Sequence, residues 1–66
     1  MEFSSIFKQL RLEEGLTQAE LAKELNSHQS TIAKYELGQL EADYKKLIKI
    51  ADFFDVSIDK LLGRER

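Results

Sequence analysis

Residues 15–38 read GLTQAELAKELNSHQSTIAKYELG, from Gly15 to Gly38, and the order of signals along them decides the fold. Thr17 and Glu20 stand at capping-box spacing, so the Thr17 hydroxyl accepts from the Glu20 amide while the Glu20 carboxylate reaches back to the Thr17 amide. A helix therefore starts here, turns Leu21, Ala22 and Leu25 inward, and stops near Leu25. Asn26 tolerates the left-handed conformation that ends a helix without glycine. Ser27 or His28 then caps another helix that runs to about Leu37, with Ile32 and Tyr35 inward and Gly38 as its stop. Two short helices joined by so tight a turn cross steeply instead of lying antiparallel. The segment at about 17–37 is thus predicted to be a helix-turn-helix.

On the amino-terminal side, Phe3, Ile6, Phe7 and Leu10 recur at i, i+3, i+4 and i+7 and give a first helix ending at Gly15. On the other side a loop, Gln39 to Ala42, leads to Asp43 as N-cap. Leu47, Ile50, Ala51 and Phe54 then repeat the same spacing in a fourth helix at about 44–54. Asp55 ends that helix, Ser57 caps a fifth at about 58–62 containing Leu61 and Leu62, and Gly63 precedes a charged tail, Arg64-Glu65-Arg66. The expected fold is all-α, a compact five-helix domain over residues 1–66 with no strand pattern. Phe3, Phe7, Tyr35 and Phe54 lie at core spacing and are assigned to packing, not to base stacking. Leu12, Leu37, Leu40, Tyr44, Phe53 and Ile58 exceed what so small a core holds. Such leftovers mark a partner surface, with Leu37 and Leu40 also suited to bracing the loop.

Composition bounds the function. The chain has 66 residues, 42% of them hydrophobic and 33% charged, enough for one core and too few for a catalytic cleft between two lobes. It has no cysteine and one histidine, so disulfides, thiolate metal sites and a zinc site are excluded and packing alone must hold the core. No apolar run spans a bilayer and no signal-peptide pattern begins the chain, which reads as cytoplasmic. No nucleophile is spaced to meet a base and no glycine-rich phosphate loop is present, so an enzyme is rejected, and no cofactor, metal or small-molecule ligand is expected.

A net charge of −2 and a pI near 5.3 do not advertise a nucleic-acid binder. The distribution matters more than the sum. Residues 1–27 hold three bases against five acids and residues 50–66 three against four, whereas His28 to Lys49 hold four against three. The bases of that middle block are Lys34, Lys45, Lys46 and Lys49.

Gly15-Leu16-Thr17-Gln18-Ala19-Glu20-Leu21-Ala22, followed by Ser30-Thr31-Ile32 and Tyr35-Glu36-x-Gly38, resembles the Cro and cI-type phage repressors and their bacterial xenobiotic-response-element relatives. Leu47-Ile48-Lys49-Ile50-Ala51 and Val56-Ser57-Ile58-Asp59-Lys60-Leu61-Leu62 extend the likeness over about Phe7 to Gly63. The resemblance implies a lambda-repressor-like domain whose second helix lies across the DNA backbone while the third enters the major groove. It implies base contacts from Gln29, Ser30, Ala33 and Lys34. Glutamine suits adenine, lysine suits guanine or a phosphate, and alanine suits a thymine methyl. Phosphate contacts are expected from Thr17, Gln18, His28, Thr31, Gln39, Lys45 and Lys46, against a bland reading of the lysines and His28 as solvated surface. Arg11 and Glu36 match a family salt bridge that orients the recognition helix. Phe53, Ile58 and Leu62 are the implied homodimer surface, which presents two recognition helices about 34 Å apart.

The function so implied is a sequence-specific regulator of transcription, bacterial or phage-encoded and acting on the nucleoid. It binds double-stranded DNA as a homodimer on a palindromic operator and represses by occluding a promoter. One departure matters: the loop Gln39-Leu40-Glu41-Ala42 lacks the basic residues and proline frequent in the family. Few ion pairs are therefore expected, with a salt-dependence slope of roughly −3 to −5. The acidic balance and this loop leave a second function open, a helix-turn-helix protein-interaction module such as an antitoxin or anti-repressor.

Overall fold

The structure, a computed structural model, describes residues 2–64; Met1 and the last two residues of the charged tail, Glu65 and Arg66, lie outside the described residues. Five helices follow one another: α1 (Glu2–Glu13), α2 (Gln18–Glu24), α3 (Gln29–Glu36), α4 (Tyr44–Phe54) and α5 (Ile58–Leu61), with no strand among the described residues.

Side-chain caps start α2, α4 and α5. The capping box of α2 is complete: the Glu20 amide donates to Thr17 Oγ1 at 3.1 Å and the Thr17 amide to Glu20 Oε1 at 2.9 Å. That backbone bond, and then the threonine hydroxyl, hold the Glu20 carboxyl below its usual pKa, so the box is whole at neutral pH and weakens as acid protonates it. Asp43 Oδ1 accepts the Lys46 amide at 2.8 Å to start α4, and Ser57 Oγ accepts the Lys60 amide at 2.9 Å to start α5. Of the two caps open for α3, His28 takes the position, and its side chain makes no capping hydrogen bond.

All five helices end in one way. Gly15, Asn26, Gly38, Asp55 and Gly63 each adopt a left-handed backbone. The residue after each donates its amide to the carbonyl five back: Leu16 to Arg11, Ser27 to Ala22, Gln39 to Lys34, Val56 to Ala51 and Arg64 to Asp59, at 2.8–3.1 Å. This is the Schellman closure. At Gly63 the demand is double, because a Cβ there would stand 2.8 Å from the Glu2 Cβ, where the end of α5 meets the start of α1.

Phe7, Leu21, Ile32, Ile50 and Leu61, one side chain from each helix, are fully buried together with Leu25. Helix α1 packs on α3 and α5, α2 on α3, and α4 on α5. Phe7 is the hub of the aromatic cluster, with ring centroids 5.5 Å from Phe3, 5.7 Å from Tyr35 and 6.3 Å from Phe54. Two expectations shift. Ile58 is not left over but packs partly against the core beside Leu62, and α5 stops at Leu61, with Leu62 as its C-cap. Leu12, Leu37, Leu40, Tyr44 and Phe53 remain exposed, joined by Ile48. Among the described residues no helix is long and apolar enough to cross a membrane, and no group of side chains is placed to hold a metal ion.

Candidate nucleic-acid interface

Helix α3 has two faces. Ile32 and Tyr35 are buried, and Glu36 is held against α1, which pins one side of the helix to the core. At about 100° per residue, Gln29, Ala33, Ser30 and Lys34 fall within an arc of about 140° on the other side. Gln29, Ser30 and Lys34 are exposed along it and Ala33 is half-buried. Leu37, the C-cap, continues the same arc and is 70% exposed, so an apolar side chain closes this face at its carboxyl end. The sequence left Leu37 between a partner surface and a brace for the loop; its helical angle places it on this face.

The Arg11–Glu36 pair holds the helix at this angle. Arg11 Nε lies 2.6 Å from Glu36 Oε2 and Nη2 donates to Oε1 at 3.1 Å, a bidentate fork in which the two side chains are only 10% and 4% exposed. The remaining guanidinium edge donates to the Leu16 carbonyl at 2.7 Å, and Gln18 Nε2 adds a third hydrogen bond to the carboxylate at 3.1 Å. The described residues contain no buried side-chain polar atom without a partner. Gln18, expected at a phosphate, thus already spends an amide N–H bond on Glu36. It links the first turn of α2 to the end of α3.

The other expected phosphate contacts come from several elements. Thr17 is exposed at the start of α2, its hydroxyl oxygen accepting the box bond. His28 is exposed at the N-cap of α3, where its carbonyl accepts the Thr31 amide at 3.0 Å. Thr31 is half-buried on the flank between the two faces. Gln39 is exposed and anchored to α3 by its amide, 2.9 Å from the Lys34 carbonyl. Lys45 is exposed on the first turn of α4, whereas Lys46 is half-buried with Nζ 2.8 Å from Ser27 Oγ. Of the expected dimer residues, Phe53 is exposed on α4, while Ile58 and Leu62 are half-buried against the core.

The structure also removes much of the difficulty posed by an acidic chain. Of the three acids in the block 28–49, Glu36 is sequestered with Arg11 and Asp43 caps α4. Glu41 is the one left exposed without such a role, against the exposed Lys34, Lys45 and Lys49.

A core-braced α3, an α2 packed against it across a short turn and an exposed polar face define the class: a helix-turn-helix domain. The chain belongs to the helix-turn-helix family HTH_3, whose model matches residues 7–61. It is 43% identical over 63 residues to the "Uncharacterized HTH-type transcriptional regulator YqaE" of Bacillus subtilis, covering 96% of this chain and 54% of that one. It is 40% identical over 65 residues to the "HTH-type transcriptional activator BcrR" of Enterococcus faecalis, covering 98% of this chain and 32% of that protein. The crystal structure of a transcriptional regulator from Listeria innocua superposes with a TM-score of 0.88 at 36% identity, over 97% of this chain and 60% of that one. The chain therefore spans about half the length of the first relative and a third of the second.

Proposed function

We propose that this chain is the DNA-reading portion of a transcriptional regulator, binding double-stranded DNA sequence-specifically with α3 in the major groove. The observation that carries this is the division of α3: one face is braced by Ile32, Tyr35 and the Arg11–Glu36 fork, while Gln29, Ser30 and Lys34 stand exposed on the other. Base reading needs long polar side chains on a rigid element, and that is what the exposed arc offers. Ala33 and Leu37 add apolar surface suited to thymine methyls. Thr17, His28, Thr31, Gln39 and Lys45 serve as phosphate contacts beside it. Membership of the helix-turn-helix family and relatives named as transcriptional regulators support the same function.

The operator is a palindrome and the binding species a homodimer formed around Phe53, with Ile58 and Leu62 behind it. The molecule's backbone measures 31 × 23 × 21 Å. Two copies side by side are commensurate with half-sites one helical turn, about 34 Å, apart. Repression by promoter occlusion needs no contact beyond the operator. Regulation takes place in the cytoplasm, on the nucleoid, without an enzymatic step.

Gln29→Ala tests the base-reading role. It is expected to relax preference at one base position in each half-site and to cost about 1–3 kcal/mol for the lost bidentate contact. Binding measured across a set of single-base operator variants reads this directly. Equal weakening on every sequence would instead make Gln29 a phosphate contact.

A further inference from the structure

We infer that Lys46 serves DNA binding as a positioning residue, its ammonium fastening the turn between α2 and α3 to the first turn of α4, and not as a phosphate contact. The inference rests on the DNA-reading function proposed above and changes the role of a single lysine within it.

Both ends of the link are held. At the α4 end, the Lys46 amide is fixed on Asp43 Oδ1 at 2.8 Å, so the root of the side chain is set by the helix cap. At the turn, the Ser27 amide closes α2 on the Ala22 carbonyl at 2.8 Å, and the Ser27 hydroxyl donates to the Leu25 carbonyl at 3.3 Å. That donation leaves the hydroxyl oxygen as an acceptor, and Lys46 Nζ sits 2.8 Å from it in a half-buried position. The bond joins residues 19 apart in the chain.

The place of the link gives it its function. Helices α2, α4 and α5 begin on side-chain caps, but the His28 side chain makes none for α3. The start of the recognition helix, where Gln29 and Ser30 lie, is therefore located by the turn that precedes it, and the Lys46 side chain is bonded to that turn from outside it. Base reading is sensitive to displacements well under 1 Å, so a loosened turn weakens binding without removing any contact to DNA.

Salt dependence separates the two roles. A lysine that neutralises a phosphate contributes about 0.9 to the slope of log K against log salt, whereas one whose ammonium stays on the turn and meets no phosphate contributes little. The experiment measures binding of Lys46→Met, Ser27→Ala and the double variant to the duplex that the unaltered protein enriches from a random pool, across a salt series. All three are first shown to be folded by thermal melting. Each single variant is expected to weaken binding by about fivefold. The double variant should bind no worse than the weaker single, and the slope should stay unchanged throughout. A slope shallower by about 0.9 in Lys46→Met, unaltered affinity in Ser27→Ala, or additive losses in the double variant would overturn the inference. Amide exchange supplies a reading without DNA: in Lys46→Met the amides of residues 27–30 should exchange faster than in the unaltered protein, with the Phe7 and Ile50 amides unchanged. Unaltered exchange in the turn also overturns it. A protein that binds no duplex while showing the faster exchange would locate the failure in the DNA-reading function and not in the link.

Discussion

Replacing Arg11 with methionine is expected to lower stability by about 3–5 kcal/mol, because it leaves the Glu36 carboxylate buried without its counter-charge. The guanidinium supplies two of the three hydrogen bonds that carboxylate receives and also satisfies the Leu16 carbonyl. A domain of this length holds roughly 3–10 kcal/mol in total, so the variant should melt about 12–40 °C lower or be largely unfolded. Thermal melting followed by circular dichroism measures it. The cause is checked by also replacing Glu36 with methionine: an apolar pair removes both charges, and the double variant should recover most of the loss. Whatever DNA binding Arg11→Met retains should keep the base preference of the unaltered protein, since Arg11 holds α3 in place and does not face the exposed arc. An unchanged melting temperature contradicts the role given to the pair.

Phe7→Ala is expected to be equally severe, about 3–5 kcal/mol, by a different route. Phe7 is fully buried and its ring meets Phe3, Tyr35 and Phe54, so truncation opens a cavity where α1, α3 and α4 converge. Three of its neighbours are rings, which do not flow into the space as aliphatic chains do. Phe7→Leu, which refills much of the volume, should lose less than half as much. Urea unfolding reads both variants, and equal losses for Ala and Leu would place the energy in ring geometry rather than in volume.

Much of this fold is written in local signals. The Thr17–Glu20 box, the Asp43 and Ser57 caps and the left-handed positions at Asn26, Asp55 and the glycines each involve residues a few apart, where spacing alone dictates geometry. The buried faces follow from periodicity in the same way, so Phe7, Ile32, Tyr35 and Ile50 were legible as core. The Arg11–Glu36 pair spans 25 residues and was reached only through resemblance to a family. What stayed hidden are the bonds made when distant segments meet. Nothing local says that the Gln18 amide turns to Glu36, 18 residues on, or that the Lys46 ammonium turns to Ser27. Ile48 was concealed differently, next to the core residue Leu47, where its exposure depends on what α4 packs against. The expected DNA contacts therefore divide into side chains that face outward, such as Gln29 and Lys34, and side chains already engaged within the fold, such as Gln18 and Lys46.

Selection of bound duplexes from a random-sequence pool at moderate salt tests the DNA-reading function most directly, with the enriched sequences inspected for symmetry. The expected result is an inverted repeat whose half-site centres lie about one helical turn apart, the spacing of two copies each placing α3 in a major groove. A protein shown to be folded that enriches no sequence would contradict that function and point to a protein partner for the exposed face of α3.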